Sequence, residues 1–265
     1  MNTTTPDAPA AASRPEIQSI TVDDVYAALS QGWADFRAAP QFGLFFGGIY
    51  ALAGIAIFLQ LWVSEQPLWI VPLAFAFPLI GPFAAIGLYE VSRRMEKNQP
   101  LEWNEILSAV WSHRGGQLPF MAFIVLAGFM IWIWFARLIV ALFVGRMDSA
   151  VYSDFNALLT TDNGLAMLFF GSIVGGVIAF ILFSITVVAL PMLVDRDVDF
   201  VTAMITSFNS VTSNLRPMLT WAGIVVAVLI VSMVPMFLGL IVARPVLGHA
   251  TWHLYRKLIK PIDEV

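Results

Sequence analysis

His249 and His253 stand four residues apart in the block RPVLGHATWHLYRKL, residues 244 to 258. On a helix they share a face one turn apart, a spacing that suits one metal ion or the edge of a porphyrin. The motif of a zinc protease is incomplete, because Ala250 follows the first histidine where HExxH carries its glutamate base. The structural reading is two imidazoles hydrogen-bonded to tyrosine, serine or carboxylate neighbours at one end of a span. The functional reading is metal or haem ligation, with Glu90 or Asp195 as further ligands. The first is preferred, and no resident metal or cofactor is expected.

Two arginines fall inside apolar stretches. Arg244 lies near the middle of its stretch, where a charge costs a few kcal/mol or more and demands a partner. No Asp or Glu lies in the interior of any apolar run. The partner is therefore backbone carbonyls freed by Pro78, Pro82 or Pro245, or a bound anion, lipid phosphate or partner carboxylate. Arg137 sits about seven residues, near 10 Å, from one end of its run and can snorkel to the interface, with an intramembrane anion contact like that of Arg244 as its functional reading. A third candidate is a cluster of Glu90, Arg93, Asp195, Arg196, His249 and His253, which meet if the ends of their helices converge. There Glu90 and Asp195 would serve as acceptors or ligands, Arg93 and Arg196 as counter-charges and the histidines as pH-sensitive donors. A structural salt-bridge belt is the competing reading.

The elements that position these residues are membrane helices. Of the 265 residues, 59% are hydrophobic and 12% charged, against about 45 to 50% and about 25% in soluble domains. The mean hydropathy is +0.80. A soluble enzyme, a disordered regulator and a nucleic-acid binder are excluded, the last because the 14 Lys and Arg form no basic stripe. With no cysteines there are no disulfides, iron–sulfur clusters or Cys-bound zinc. No Walker motif, nucleophile elbow, paired catalytic carboxylates or EF-hand loop is present, so no enzyme is expected.

Residues 1–20 read as a disordered cytoplasmic tail and 21–260 as one membrane domain. Apolar runs predict spans over about 42–63, 68–89, 118–144 and 165–194. The second is interrupted by Pro72, Pro78 and Pro82. The last run, from Pro217 to about Tyr255, is close to 60 Å long as a helix and must fold back. Ser232 to Pro235 is the expected break, giving spans over 217–233 and 236–255. Six spans place Arg14, Arg37, Arg93, Arg94, Lys97, Arg114, Arg196, Arg216, Arg256, Lys257 and Lys260 on one side and only Arg146 on the other. That asymmetry favours six spans over five and puts both termini in the cytoplasm.

Each pair of spans is preceded by a predicted amphipathic interfacial helix. The apolar faces are Val22, Tyr26, Leu29, Trp33 and Phe36; then Trp103, Ile106, Leu107, Val110 and Trp111; then Val201, Met204, Ile205, Phe208 and Val211. Thr21 with Asp24 forms the start of the first as a capping box. Prolines recur in the even spans at Pro82, Pro191 and Pro245. The fold class is all-α, with six transmembrane helices in three helix-span-span units. Gly43-x-x-x-Gly47 and Gly171-x-x-x-Gly175 with Gly176 are expected to pack helices within the bundle.

The blocks GWADFRAAPQFGLFFGG (32 to 48), FPLIGPFAAIGLYEVSRRMEK (77 to 97), ALPMLVDRDVD (189 to 199) and RPVLGHATWHLYRKL resemble a bacterial integral membrane family, domain of unknown function 2189. The resemblance covers roughly residues 20 to 260 and implies a protein of the bacterial inner membrane. Some members carry the label of cytochrome oxidase subunit I, a pattern from which this chain departs. Three histidines in six spans do not supply haem–copper centres.

Three functions follow as expectations. The first is a non-catalytic accessory or scaffold protein that binds a membrane-protein partner or lipid. The second is a channel or transporter for a small, anionic solute, and the third a metal- or haem-binding redox protein. The lipid bilayer is the one certain partner, no nucleic acid is expected, and the oligomeric state stays open.

Overall fold

The computed structural model describes residues 15–63, 70–112, 116–144 and 159–261. Among these the chain is all-helical. The helices are α1 (Val22–Ala38), α2 (Pro40–Val63), α3 (Ile70–Glu96), α4 (Trp103–Ser112), α5 (Leu118–Val144), α6 (Asp162–Thr186), α7 (Ala189–Asp195), α8 (Phe200–Ser213), α9 (Leu215–Met233) and α10 (Leu240–Leu258). Among the described residues four stretches are long and apolar enough to cross a membrane: Pro40–Leu59, Leu118–Phe143, Asp162–Asp195 and Leu215–Met233.

Local chemistry sets the ends. Thr21 caps α1 as expected: its Oγ1 accepts from the Asp24 N–H at 3.3 Å, and Asp24 accepts from the Thr21 N–H at 2.9 Å. Pro40 opens α2 directly after Ala39, because a helix's first turn needs no N–H from it. The expected break after Ser232 is present between Met233 and Leu240, where Met236 and Phe237 take positive φ of 50° and 66°. The run expected as one span over 165–194 lies within the single apolar stretch Asp162–Asp195, which is built of two helices, α6 and α7. Pro191 has no N–H to return to residue 187. Ser207 of α8 mends the gap, accepting from the Val188 N–H at 3.1 Å and donating to the Ser184 carbonyl at 2.7 Å.

The centre of the bundle is α10, packed by α1, α2, α3 and α9. It carries Arg244, His249, His253 and Arg256, which are costly against hydrocarbon and cheaper among protein partners. Its neighbours approach closely through small residues. A Cβ on Gly47 would stand 2.4 Å from the Ile241 carbonyl oxygen, and one on Gly43 would meet Phe36 at 2.5 Å and Pro245 at 3.2 Å. The first glycine pair therefore packs α2 onto its neighbours. The second does so only at Gly175, which meets Trp132; Gly171 and Gly176 face open space.

The short helices pack inward a face that overlaps their apolar one only in part. In α1 the buried residues are Val25, Ala28, Gly32 and Phe36, whereas Tyr26 and Trp33 are exposed. In α4 Ile106 is buried and Trp103, Leu107 and Trp111 are exposed. In α8 the seam is Ala203, Thr206, Ser207, Ser210 and Val211, while Val201, Ile205 and Phe208 point out. Small residues let helix backbones approach, and bulky apolar side chains lose nothing by facing lipid.

The tail expected over residues 1–20 gives way at Glu16. Gln18 N–H donates to Leu258 C=O at 2.8 Å, Lys260 N–H donates to Glu16 C=O at 3.1 Å, and Ile17 bridges Ile259. Residues 1–14 lie outside the described residues, as do Arg114 and Arg146 from the charge asymmetry.

Candidate functional site

The expected polar cluster resolves into three groups at the ends of α3, α7 and α10. The first is buried between α1, α3 and α10. His249 Nδ1 lies 2.7 Å from Ser92 Oγ, Ser92 Oγ donates to Asp35 Oδ2 at 2.7 Å, and His253 Nε2 lies 2.8 Å from the same Oδ2. Ser92 has one proton and gives it to the carboxylate, so His249 Nδ1 is the donor to Ser92 in this arrangement. The His249 Nε2 is then a bare acceptor, buried and without a partner. His249 and Ser92 are fully buried. The serine is a relay between rings and carboxylate rather than an accessible nucleophile.

Burial alone would raise the Asp35 carboxyl. Hydrogen bonds from His253 and Ser92, with the charge interaction of His253, outweigh it and hold the group below the usual 3.8. A depressed native value means that the carboxylate's share of stability is in place above that range and is lost as pH falls through the native value. Asp35→Asn is expected to lower stability at pH 7 by about 1–3 kcal/mol. The gap to the parent protein should close in acid. Thermal unfolding across pH measures it, and a gap that persists unchanged in acid would assign the loss to packing.

The second group surrounds Glu90, whose side chain is 1% exposed. Arg93 grips it with Nε at 2.8 Å and Nη2 at 3.0 Å, and Arg94 Nε donates at 2.7 Å. Arg94 also pairs with Glu105 of α4. The third group joins α7 to α10. Tyr255 OH donates to Asp195 at 2.6 Å and accepts from Arg196 Nε at 3.0 Å. Arg256 reaches Asp195 at 3.3 Å and Glu96 at 2.9 Å, and Trp252 Nε1 donates to Glu96 at 3.1 Å.

Among the described residues no hydrogen bond or ion pair joins one group to another, although all three share α3 or α10. Helix geometry is the reason. Glu90, Arg93 and Arg94 lie on one face of α3, and Ser92, about 200° round from Glu90, lies on another. Likewise His249 and His253 share one face of α10, and Trp252 with Arg256 shares a second. Asp35, Ser92, Glu96 and Tyr255 belong to these groups although sequence reading does not single them out. Asp35 does carry a signal: it falls in register with Ala28 and Gly32, an acid on a small-residue face. Among the described residues no three His, Asp or Glu side chains gather as a metal site.

The two arginines in apolar stretches part company. Arg137 is exposed on α5. Arg244 lies over the Tyr50 ring at 4.0 Å, a cation–π contact. Tyr50 OH donates to the Gly81 carbonyl at 2.6 Å, one residue before Pro82. So the carbonyl near the proline serves the tyrosine, and the tyrosine serves the arginine.

No curated protein and no solved structure matches the chain. Composition, four membrane-length apolar helices and charges gathered at their ends describe an integral membrane protein. In agreement, residues 70–195, from the start of α3 to the end of α7, match the family model described as Predicted integral membrane protein (DUF2189).

Proposed function

We propose that the chain is a six-span protein of the bacterial inner membrane, with both termini cytoplasmic, that acts without catalysis as an accessory or scaffold protein. Three units of one interfacial helix and two spans would be α1–α3, α4–α7 and α8–α10. The recurrence of a short helix before two longer ones supports this division, as does the gathering of basic residues. Arg93 and Arg94 at the end of α3, Arg196 after α7 and Arg256 near the end of α10 lie in linked or neighbouring ion pairs, consistent with one cytoplasmic side. The family resemblance supports the bacterial membrane.

The observation that carries a binding role is the α5–α6 hairpin. Only 6% of the apolar stretch of α5 is buried, against 39% for α2. Between the two helices runs a groove of about 510 Å³ lined by Trp132, Ala136, Ile139, Met167, Gly171 and Gly176. A Cβ added at Gly171 or Gly176 would meet no atom within 4 Å, so the backbone there is open to approach. A lipid chain gains nothing from glycine at such a place, whereas a partner's transmembrane helix packs closely against it. The occupant is therefore read as a transmembrane helix of a partner protein.

The absence of native cysteines makes each introduced one unique. Lys260→Cys is expected to label only from the cytoplasmic side. Gly171→Cys carrying a photocrosslinker is expected to yield an adduct with one membrane protein, lost on Gly176→Leu while thermal stability holds. External labelling at position 260 would overturn the topology, and adducts with lipid alone would overturn the partner reading.

A further inference from the structure

Arg244 borders a small, half-open cavity in the wall of the bundle whose purpose the packing does not explain. The cavity measures about 110 Å³ and is lined by Tyr50, Leu88, Tyr89, Arg244, Gly248 and Thr251, among others. None of its described lining residues is acidic. Among the described residues no carboxylate pairs with Arg244; its contacts are the Tyr50 ring at 4.0 Å and the Tyr50 hydroxyl. A tyrosine ring and a phenol offset part of a half-buried guanidinium's cost and leave its charge without a counter-charge among the described residues.

The other polar groups divide into satisfied and free. Tyr50 OH gives its proton to the Gly81 carbonyl at 2.6 Å, and Thr251 OH gives its own to the Leu247 carbonyl at 2.7 Å. Tyr89 OH makes no hydrogen bond to a described residue and borders the same space. Two donors therefore have capacity to spare, the Arg244 guanidinium and the Tyr89 hydroxyl, and no acceptor with a charge faces them. Glu90 is committed to Arg93 and Arg94. Gly248 brings α10 close against α3 at the edge of this space, since a Cβ there would stand 2.7 Å from Leu88 Cδ1.

We propose that this cavity binds one small monovalent anion of chloride, nitrate or formate size, held by Arg244 and Tyr89. The anion supplies the missing charge, accepts from both free donors and fits a space with room for only a few waters. A phospholipid head group is too large to enter whole. Binding ties α10 to α3 through the two donors, so occupancy stabilises the bundle.

The test uses the full chain in detergent or nanodiscs, exchanged from sodium gluconate into chloride, bromide or nitrate at constant ionic strength. The melting temperature is expected to rise and saturate with the small anions and stay flat in gluconate, which the cavity excludes. Tyr89→Phe keeps the ring and is expected to raise the half-saturating concentration about tenfold, as the loss of a hydrogen bond to a charge does. Its melting temperature in gluconate should be unchanged. Arg244→Gln is expected to abolish the anion response, and if that variant does not fold, Tyr89→Phe decides alone. An equal response in gluconate, a response that never saturates, or an unshifted midpoint in Tyr89→Phe would overturn the proposal.

Discussion

Gly32→Val is expected to prevent assembly of the bundle or to cost at least about 3 kcal/mol, the upper range for overpacking a close-packed site. The first added carbon would stand 2.4 Å from the Ala250 backbone nitrogen and 2.7 Å from the Val246 carbonyl oxygen. Both are main-chain atoms of α10, so no rotamer relieves the clash and α1 must move away. That movement also breaks the bonds of Asp35 to His253 and Ser92 and the Lys257–Asp24 pair at 3.1 Å. Gly171→Val is the control, because nothing lies within 4 Å of its Cβ position. It should change stability by less than about 0.5 kcal/mol. Thermal unfolding followed by size-exclusion chromatography compares the two, and equal stability would remove the close α1–α10 contact from the fold.

Glu90→Ala is expected to cost about 3–5 kcal/mol, the range for removing one partner of a buried ionic group. The carboxylate, with a side chain 1% exposed, holds two arginines whose side chains are 28% and 16% exposed. Without it Arg93 and Arg94 repel each other at the junction of α3 and α4, and Arg94 keeps Glu105 and the Pro100 carbonyl. Glu90→Gln keeps the shape and one acceptor and should lose less, about half. The same unfolding assay measures both, and a Glu90→Gln protein as stable as the parent would show that the charge contributes nothing there.

These two positions mark different degrees of legibility. Glu90 and its arginines are separated by three and four residues, so any helix over that stretch brings them together. Gly32 is visible in the sequence only as a glycine in an amphipathic helix. Its partner lies more than two hundred residues away along the chain, and no local pattern couples them. The same holds for Asp35, which the apolar stripe of α1 assigns to the outward face. In water that assignment is sound, since burial rewards the apolar side. In a membrane the reward disappears, and Tyr26 and Trp33 remain outside while Ala28 and Gly32 pack.

What the sequence determined by itself is everything governed by short range and by solvent: a membrane protein, the cap at Thr21 and the reversal after Ser232. Hydropathy, caps and prolines act within a few residues and need no partner. Tertiary structure decided the rest. It split one expected cluster into three, placed α10 with its arginines and histidines at the centre, and joined His253 to an aspartate 218 positions away. A helix's rotation about its own axis decides which side chains meet, and that rotation is set by the fit of small residues against neighbouring backbones. With lipid as apolar as leucine, hydrophobic patterning is indifferent to it.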